Sequence, residues 1–219
     1  ELNYDQKHAG IFDNMREVWN DKNFRVLVIV ELIYWFPQKI FVVAVPYIVA
    51  ALLQLDNVYT AIILYSVGLA SLVMYPLIDK LVDRFGKKKI MQSALLCLLI
   101  SFSFTATIGL YKIPTMAFVV VYVLVNTYPT AVLGILPMAL AGDNAEHDFR
   151  KTGIAKNASY FGLKTFMMKI GVAITSLIFP SLLLLGKTPD NPLGVRMVAV
   201  ACVASSLLAF MVMRKYKDV

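Results

Sequence analysis

The sequence predicts an all-α membrane protein, a bundle of six transmembrane helices, and three observations predict it. Hydrophobic residues make up 59% of the 219 residues and charged residues 16%, against roughly 45–50% and about 25% in soluble domains. Mean hydropathy is +0.69. The apolar residues also gather into six stretches, each long enough for the ~20 residues that cross a bilayer. A soluble core of this size could not hide so much apolar surface. With 11 Gly, 9 Pro and 2 Cys, the chain is neither collagen-like, disordered nor a disulfide scaffold.

Residues 1–23 are polar and carry no secretory pattern. Ile11, Met15, Val18 and Trp19 recur at helical spacing, which predicts a short amphipathic surface helix. The chain opens on Glu1 rather than Met, which reads as a segment of a longer polypeptide. The bundle proper is read as 24–213, with 214–219 as a tail.

The first crossing, 24–53, places Glu31, Trp35 and Gln38 on one face at spacings of four and seven. Lys39 lies about 80° off that face. Carboxylate, amide and an aromatic plane together suit a sugar. The second and third crossings, 58–78 and 90–111, are apolar. Cys97 in the third, like Cys202 in the sixth, reads as a small core residue. The fourth, 115–141, carries a polar stripe of Tyr122, Asn126 and Thr130. That stripe lines a cavity or makes interhelical hydrogen bonds. The fifth, 157–185, contains two lysines. Lys164 is shallow enough to reach water at the membrane surface. Lys169 lies roughly 18 Å in, where an ionised group costs at least about 2.5–3.5 kcal/mol unless it faces water or a partner. Glu31 is the partner the sequence offers for it. The sixth crossing is 195–213. Pro37, Pro46, Pro129, Pro137 and Pro180 predict bends in the three longest crossings.

The net charge of +7 is a topology signal and not a nucleic-acid one. Six crossings put both chain ends on one side. That side holds Lys7, Arg16, Lys22, Arg25, Lys80, Arg84, Lys87, Lys88, Lys89, Arg150, Lys151, Lys156, Arg214, Lys215 and Lys217. The other side holds Lys112, Lys187 and Arg196. The positive-inside rule places both ends in the cytoplasm, and the bilayer is the first partner. With only His8 and His147 and no HExxH, P-loop, GxGxxG or GxSxG, the sequence offers neither enzyme chemistry nor a metal site.

Two polar segments carry further information. Asp79–Lys89 contains Asp83, Arg84, Gly86, Lys87 and Lys88 in the register of G-x-x-x-D-R-x-G-R-K, with Asp79 where the first Gly would stand. It resembles the cytoplasmic signature of the major facilitator superfamily. Gly86 permits a tight reversal, and Asp83 and Arg84 can latch neighbouring helix ends. The segment from Gly142 to Lys169 resembles the glycoside–pentoside–hexuronide:cation symporter family, the melibiose-carrier group. Asp143, Glu146, Thr152, Gly153, Phe166 and Lys169 match its pattern, and Phe161 aligns with its aromatic. Ala155, Asn157 and Ala158 depart from it, and Lys156 supplies a cation one place along.

The resemblance implies the C-terminal six-helix half of a twelve-helix carrier in the cell membrane, with residues 1–23 closing a central cytoplasmic loop. It implies symport of a sugar or glycoside with Na⁺ or H⁺ by alternating access. No cofactor is implied. The coupling cation would be bound mainly by the N-terminal half, which would be this unit's partner. Lys169 would line the cavity. The residue reading adds Glu31, Trp35, Gln38, Lys39, Tyr122, Asn126 and Thr130 to it. Asp83, Arg84, Gly86, Lys87, Asp143, Glu146, Thr152 and Gly153 would form a cytoplasmic gate. The alternatives are a facilitator carrier of an organic anion, drug or lipid, and a non-transporting membrane scaffold.

Overall fold

The computed structural model describes residues 11–108 and 114–218. Lys7, His8 and Lys112, named above, lie outside the described residues. Among the described residues the chain is all-helical, with no strand. A short α1 (Ile11–Asn20) leads into six long helices: α2 (Lys22–Tyr47), α3 (Val58–Phe85), α4 (Lys87–Ala106), α5 (Thr115–Thr152), α6 (Asn157–Leu183) and α7 (Leu193–Met213). All six are long and apolar enough to cross a membrane.

Local chemistry sets the helix ends. Asp21 accepts from the backbone N–H groups of Asn23 and Phe24 at 2.8 and 3.3 Å and so starts α2, a cap worth about 1 kcal/mol. After Pro46 the same helix widens into a π-helical stretch, Ile48–Leu53, and stops at Gln54 in the left-handed region with φ 53°. A proline withholds an N–H from the ladder, and such stretches re-register it.

Two boundaries differ from the sequence reading. The polar run after the second crossing is the last turns of α3, through Phe85, and the chain reverses at Gly86 alone (φ 85°). The run from Gly142 to Thr152 likewise continues α5, which ends only where Gly153 takes φ 70°. Hydropathy marks where a helix leaves lipid. It does not mark where the helix stops, and Asp, Glu, Arg and Lys extend a helix readily in water.

Packing centres on α2, which lies against α6, α7 and α5, while α4 packs on α7 and α5, and α5 on α3. Phe24, Leu27, Val28, Val30 and Ile40 of α2 are fully buried. A close crossing lies at Gly171 of α6. A Cβ there would lie 2.6 Å from the Leu32 carbonyl oxygen and 3.1 Å from the Trp35 Cβ, so only glycine lets the two backbones approach. The outward surface is apolar: Tyr65, Val73, Leu177 and Leu184 are each more than 70% exposed. That is the inverse of a water-soluble surface and fits hydrocarbon.

Candidate functional site

Inside the bundle a carboxylate and an ammonium meet between α2 and α6. Glu31 is wholly buried and Lys164 nearly so. The lysine Nζ donates to Glu31 Oε1 at 2.8 Å. The Trp35 indole N–H donates to the same oxygen at 3.2 Å and the Tyr34 hydroxyl at 3.5 Å. Oε2, equally buried, has no hydrogen-bond partner among the described residues. Trp35 and Tyr34 stack with ring centroids 6.0 Å apart, which fixes both donors.

This corrects the sequence reading, which offered Glu31 to Lys169 and left Lys164 at the membrane surface. Depth explains the difference. Glu31 lies about 14 Å along α2 and Lys164 about 11 Å along α6, whereas Lys169 lies about 18 Å along. Both helices begin at the same end of the bundle, so Lys164 is the lysine at matching height. Lys169, five residues on, is turned about 140° away. It is exposed and has no ion-pair partner among the described residues. Trp35, Gln38 and Lys39 are half-buried, and Gln38 Oε1 is an orphaned buried acceptor.

The fourth-crossing stripe divides. Tyr122 and Asn126 are buried at 1% exposure. Asn126 Nδ2 donates to Ser101 Oγ of α4 at 2.7 Å and to the Tyr122 carbonyl at 2.8 Å. The Tyr122 ring stacks between Phe41 and Phe118. Both residues therefore stitch helices together and do not face an open wall, while Thr130 is half-buried. Among the described residues no group of three or more His, Cys, Asp or Glu could hold a metal ion.

At the end of the bundle where α2, α4 and α6 begin, the two polar segments meet. Lys87 Nζ contacts both oxygens of Asp143 at 2.7 Å, tying the start of α4 to the extension of α5. Gly86 provides the turn that aims Lys87. Asp83 and Arg84 are exposed, with the Arg84 guanidinium 5.2 Å above the Phe85 ring. Glu146 pairs with Arg150 on the α5 surface at 3.0 Å, a contact worth little in water. The Thr152 hydroxyl donates to the Asp148 carbonyl at 2.9 Å, beside the Gly153 stop.

Two further nodes have contacts that the sequence reading did not anticipate. Buried Lys156 pairs with Glu17 of α1 at 2.8 Å and with Asp148 of α5 at 3.3 Å. Burial opposes its charge, but the two carboxylates outweigh this and hold its pKa above the ordinary lysine value. A cavity of about 380 Å³ opens beside it, lined by Asp21, His147, Lys151 and Tyr160 among others. The second node is the tail. Asn23 exchanges two hydrogen bonds with the Lys217 backbone at 2.8 and 2.9 Å and donates to Asn144 Oδ1 at 3.0 Å. Asn144 donates to the Tyr216 hydroxyl at 2.7 Å. The Lys88 backbone N–H, at the otherwise uncapped start of α4, donates to the Asp218 carboxylate at 3.1 Å.

A family model described as MFS/sugar transport protein matches residues 2–213. The chain belongs to the MFS sugar-transport family. No curated protein and no solved structure matches it. In this MFS protein the six long helices form half of a major facilitator fold, and the chain belongs to a membrane transporter. The Lys87–Asp143 contact then joins the two polar segments of this half across its end.

Proposed function

We propose that this unit is the C-terminal half of a melibiose-carrier-like symporter, moving a sugar or glycoside with Na⁺ or H⁺ by alternating access. Both ends lie in the cytoplasm, by the cation asymmetry. The observation that carries the reading is Lys169. It is a lysine some 18 Å along a spanning helix, exposed on the bundle and without an ion-pair partner among the described residues. A charge at that depth is tolerated where it faces a water-filled cavity or a second protein surface, and an inter-half cavity supplies both. Family membership and the Asp143, Glu146, Thr152, Gly153 register support the same reading. Trp35, Gln38, Lys39 and Thr130 are the remaining sugar contacts proposed on this half. Asp83, Arg84, Lys87 and Asp143 are the proposed gate.

The test is Lys169→Met in the full-length polypeptide that carries this unit. Uptake of labelled glycoside driven by an imposed Na⁺ or pH gradient should fall tenfold or more, which is about 1.4 kcal/mol of lost interaction. Thermal stability in detergent should stay near normal. Unchanged uptake with lowered stability would make Lys169 a structural residue.

A second reading rests on charge. With Lys164 neutralised by Glu31, Lys39 and Lys169 remain as intramembrane cations that favour an anionic substrate such as a hexuronide. Competition of uptake by a hexuronide against the neutral sugar of the same ring decides between the two.

A further inference from the structure

The geometry points to a proton-binding site at Glu31, built entirely within this six-helix unit and separate from any cation site in the other half. Four observations carry it. Glu31 is completely buried. Its Oε1 is saturated by three donors, the Lys164 ammonium, the Trp35 indole and the Tyr34 hydroxyl. Its Oε2 is buried with no hydrogen-bond partner among the described residues, so one lone-pair site remains open to a proton. And the three groups that meet Oε1 each point a hydrogen at it, whereas a hard metal cation requires several oxygen ligands converging on one point. The site therefore suits H⁺.

The charged surroundings are sparse. Lys164 comes from α6 and Tyr34 from α2 itself. Of the other helices packed on α2, α5 has no charged residue between 115 and 141, though it carries Tyr122 and Tyr128, and α7 carries Cys202 and, at its far end, Arg196. The charged side chains described on α1 are Arg16 and Glu17, and those on α3 are Asp79, Lys80, Asp83 and Arg84, near its C-terminal end. Protonation forms an O–H bond at Oε2 and takes the pair from net zero to +1. Lys164 loses its counter-charge, and the link between α2 and α6 weakens. Release of the proton restores it. The coupling role rests on the symport reading, whereas proton binding does not.

The test has two readouts on the full-length polypeptide. In infrared difference spectra taken over about pH 4–9, either side of ordinary carboxyl values, a protonated-carboxyl band should titrate in the wild type and vanish in Glu31→Gln. If no Glu31-dependent band titrates, the site is a fixed ion pair and the inference is overturned. In liposomes, pH-driven sugar accumulation should fall tenfold or more in Glu31→Gln, and what remains should no longer vary with pH. Glu31→Asp should restore a pH dependence. Accumulation in Glu31→Gln that still follows the pH gradient overturns the inference. If Glu31→Gln does not fold, Glu31→Gln with Lys164→Met removes both charges together and is read the same way. Should no sugar accumulate under any gradient, the symport reading fails, while the infrared titration still decides the proton site.

Discussion

Lys164 is the counter-ion that lets Glu31 stay charged inside the bundle, and their fates are joined. Lys164→Met strands a buried carboxylate and should lower stability by about 3–5 kcal/mol, measured as thermal unfolding in detergent. Glu31→Gln together with Lys164→Met removes both charges and should recover most of that loss. A single Lys164→Met as stable as the wild type would mean the pair is not ionised. At Gly171 the added methyl of Gly171→Ala meets the Leu32 carbonyl oxygen at 2.6 Å. It should cost about 1–3 kcal/mol by overpacking, whereas Gly162→Ala, with nothing within 4 Å, should be neutral. The sequence paired Glu31 with Lys169 and left Lys164 to the membrane surface. Charge alone could not correct that choice, and only the matching depths of two residues 133 positions apart select Lys164. Tyr122 and Asn126 show the same limit. Their spacing reveals a stripe, and whether a stripe faces a cavity or a neighbour depends on Ser101 and Phe41, which no local pattern places beside them.

At the level of elements, the tail acts as a clasp. Tyr216 joins the extension of α5 through Asn144, and Lys217 and Asp218 reach the starts of α2 and α4. Burial pushes the Tyr216 hydroxyl from 10.0 up to about 12. A raised folded value for an acid that is neutral when protonated fixes the sign. The stabilisation is complete below about pH 10, the unfolded value, and is lost as pH rises through about 12. Tyr216→Phe should remove that alkaline slope and cost about 1 kcal/mol at neutral pH, both measured by thermal unfolding. An unchanged slope would show that another group titrates there. Six crossings were legible because hydropathy reports lipid contact directly. The helix ends were not, because α3 and α5 run on in water until Gly86 and Gly153 take positive φ. A glycine in sequence does not announce whether it will do so, as buried Gly171 within α6 shows.

At the scale of the whole molecule, the cation asymmetry predicts how the bundle is oriented. Lys151 at the end of α5 and Asp190 in the α6–α7 connection are both exposed and lie at opposite ends of α6. Single cysteines placed at each should react with an impermeant reagent from opposite sides of the membrane, Lys151→Cys from the cytoplasm. Labelling of both from one side would overturn the topology. The account stands most directly on transport itself. The measurement is accumulation of labelled glycoside in liposomes by the full-length polypeptide that carries this unit, under an imposed Na⁺ or pH gradient. Uphill accumulation that collapses when an ionophore dissipates the gradient is the predicted result. Equilibration without accumulation under either gradient would contradict a cation-coupled symporter.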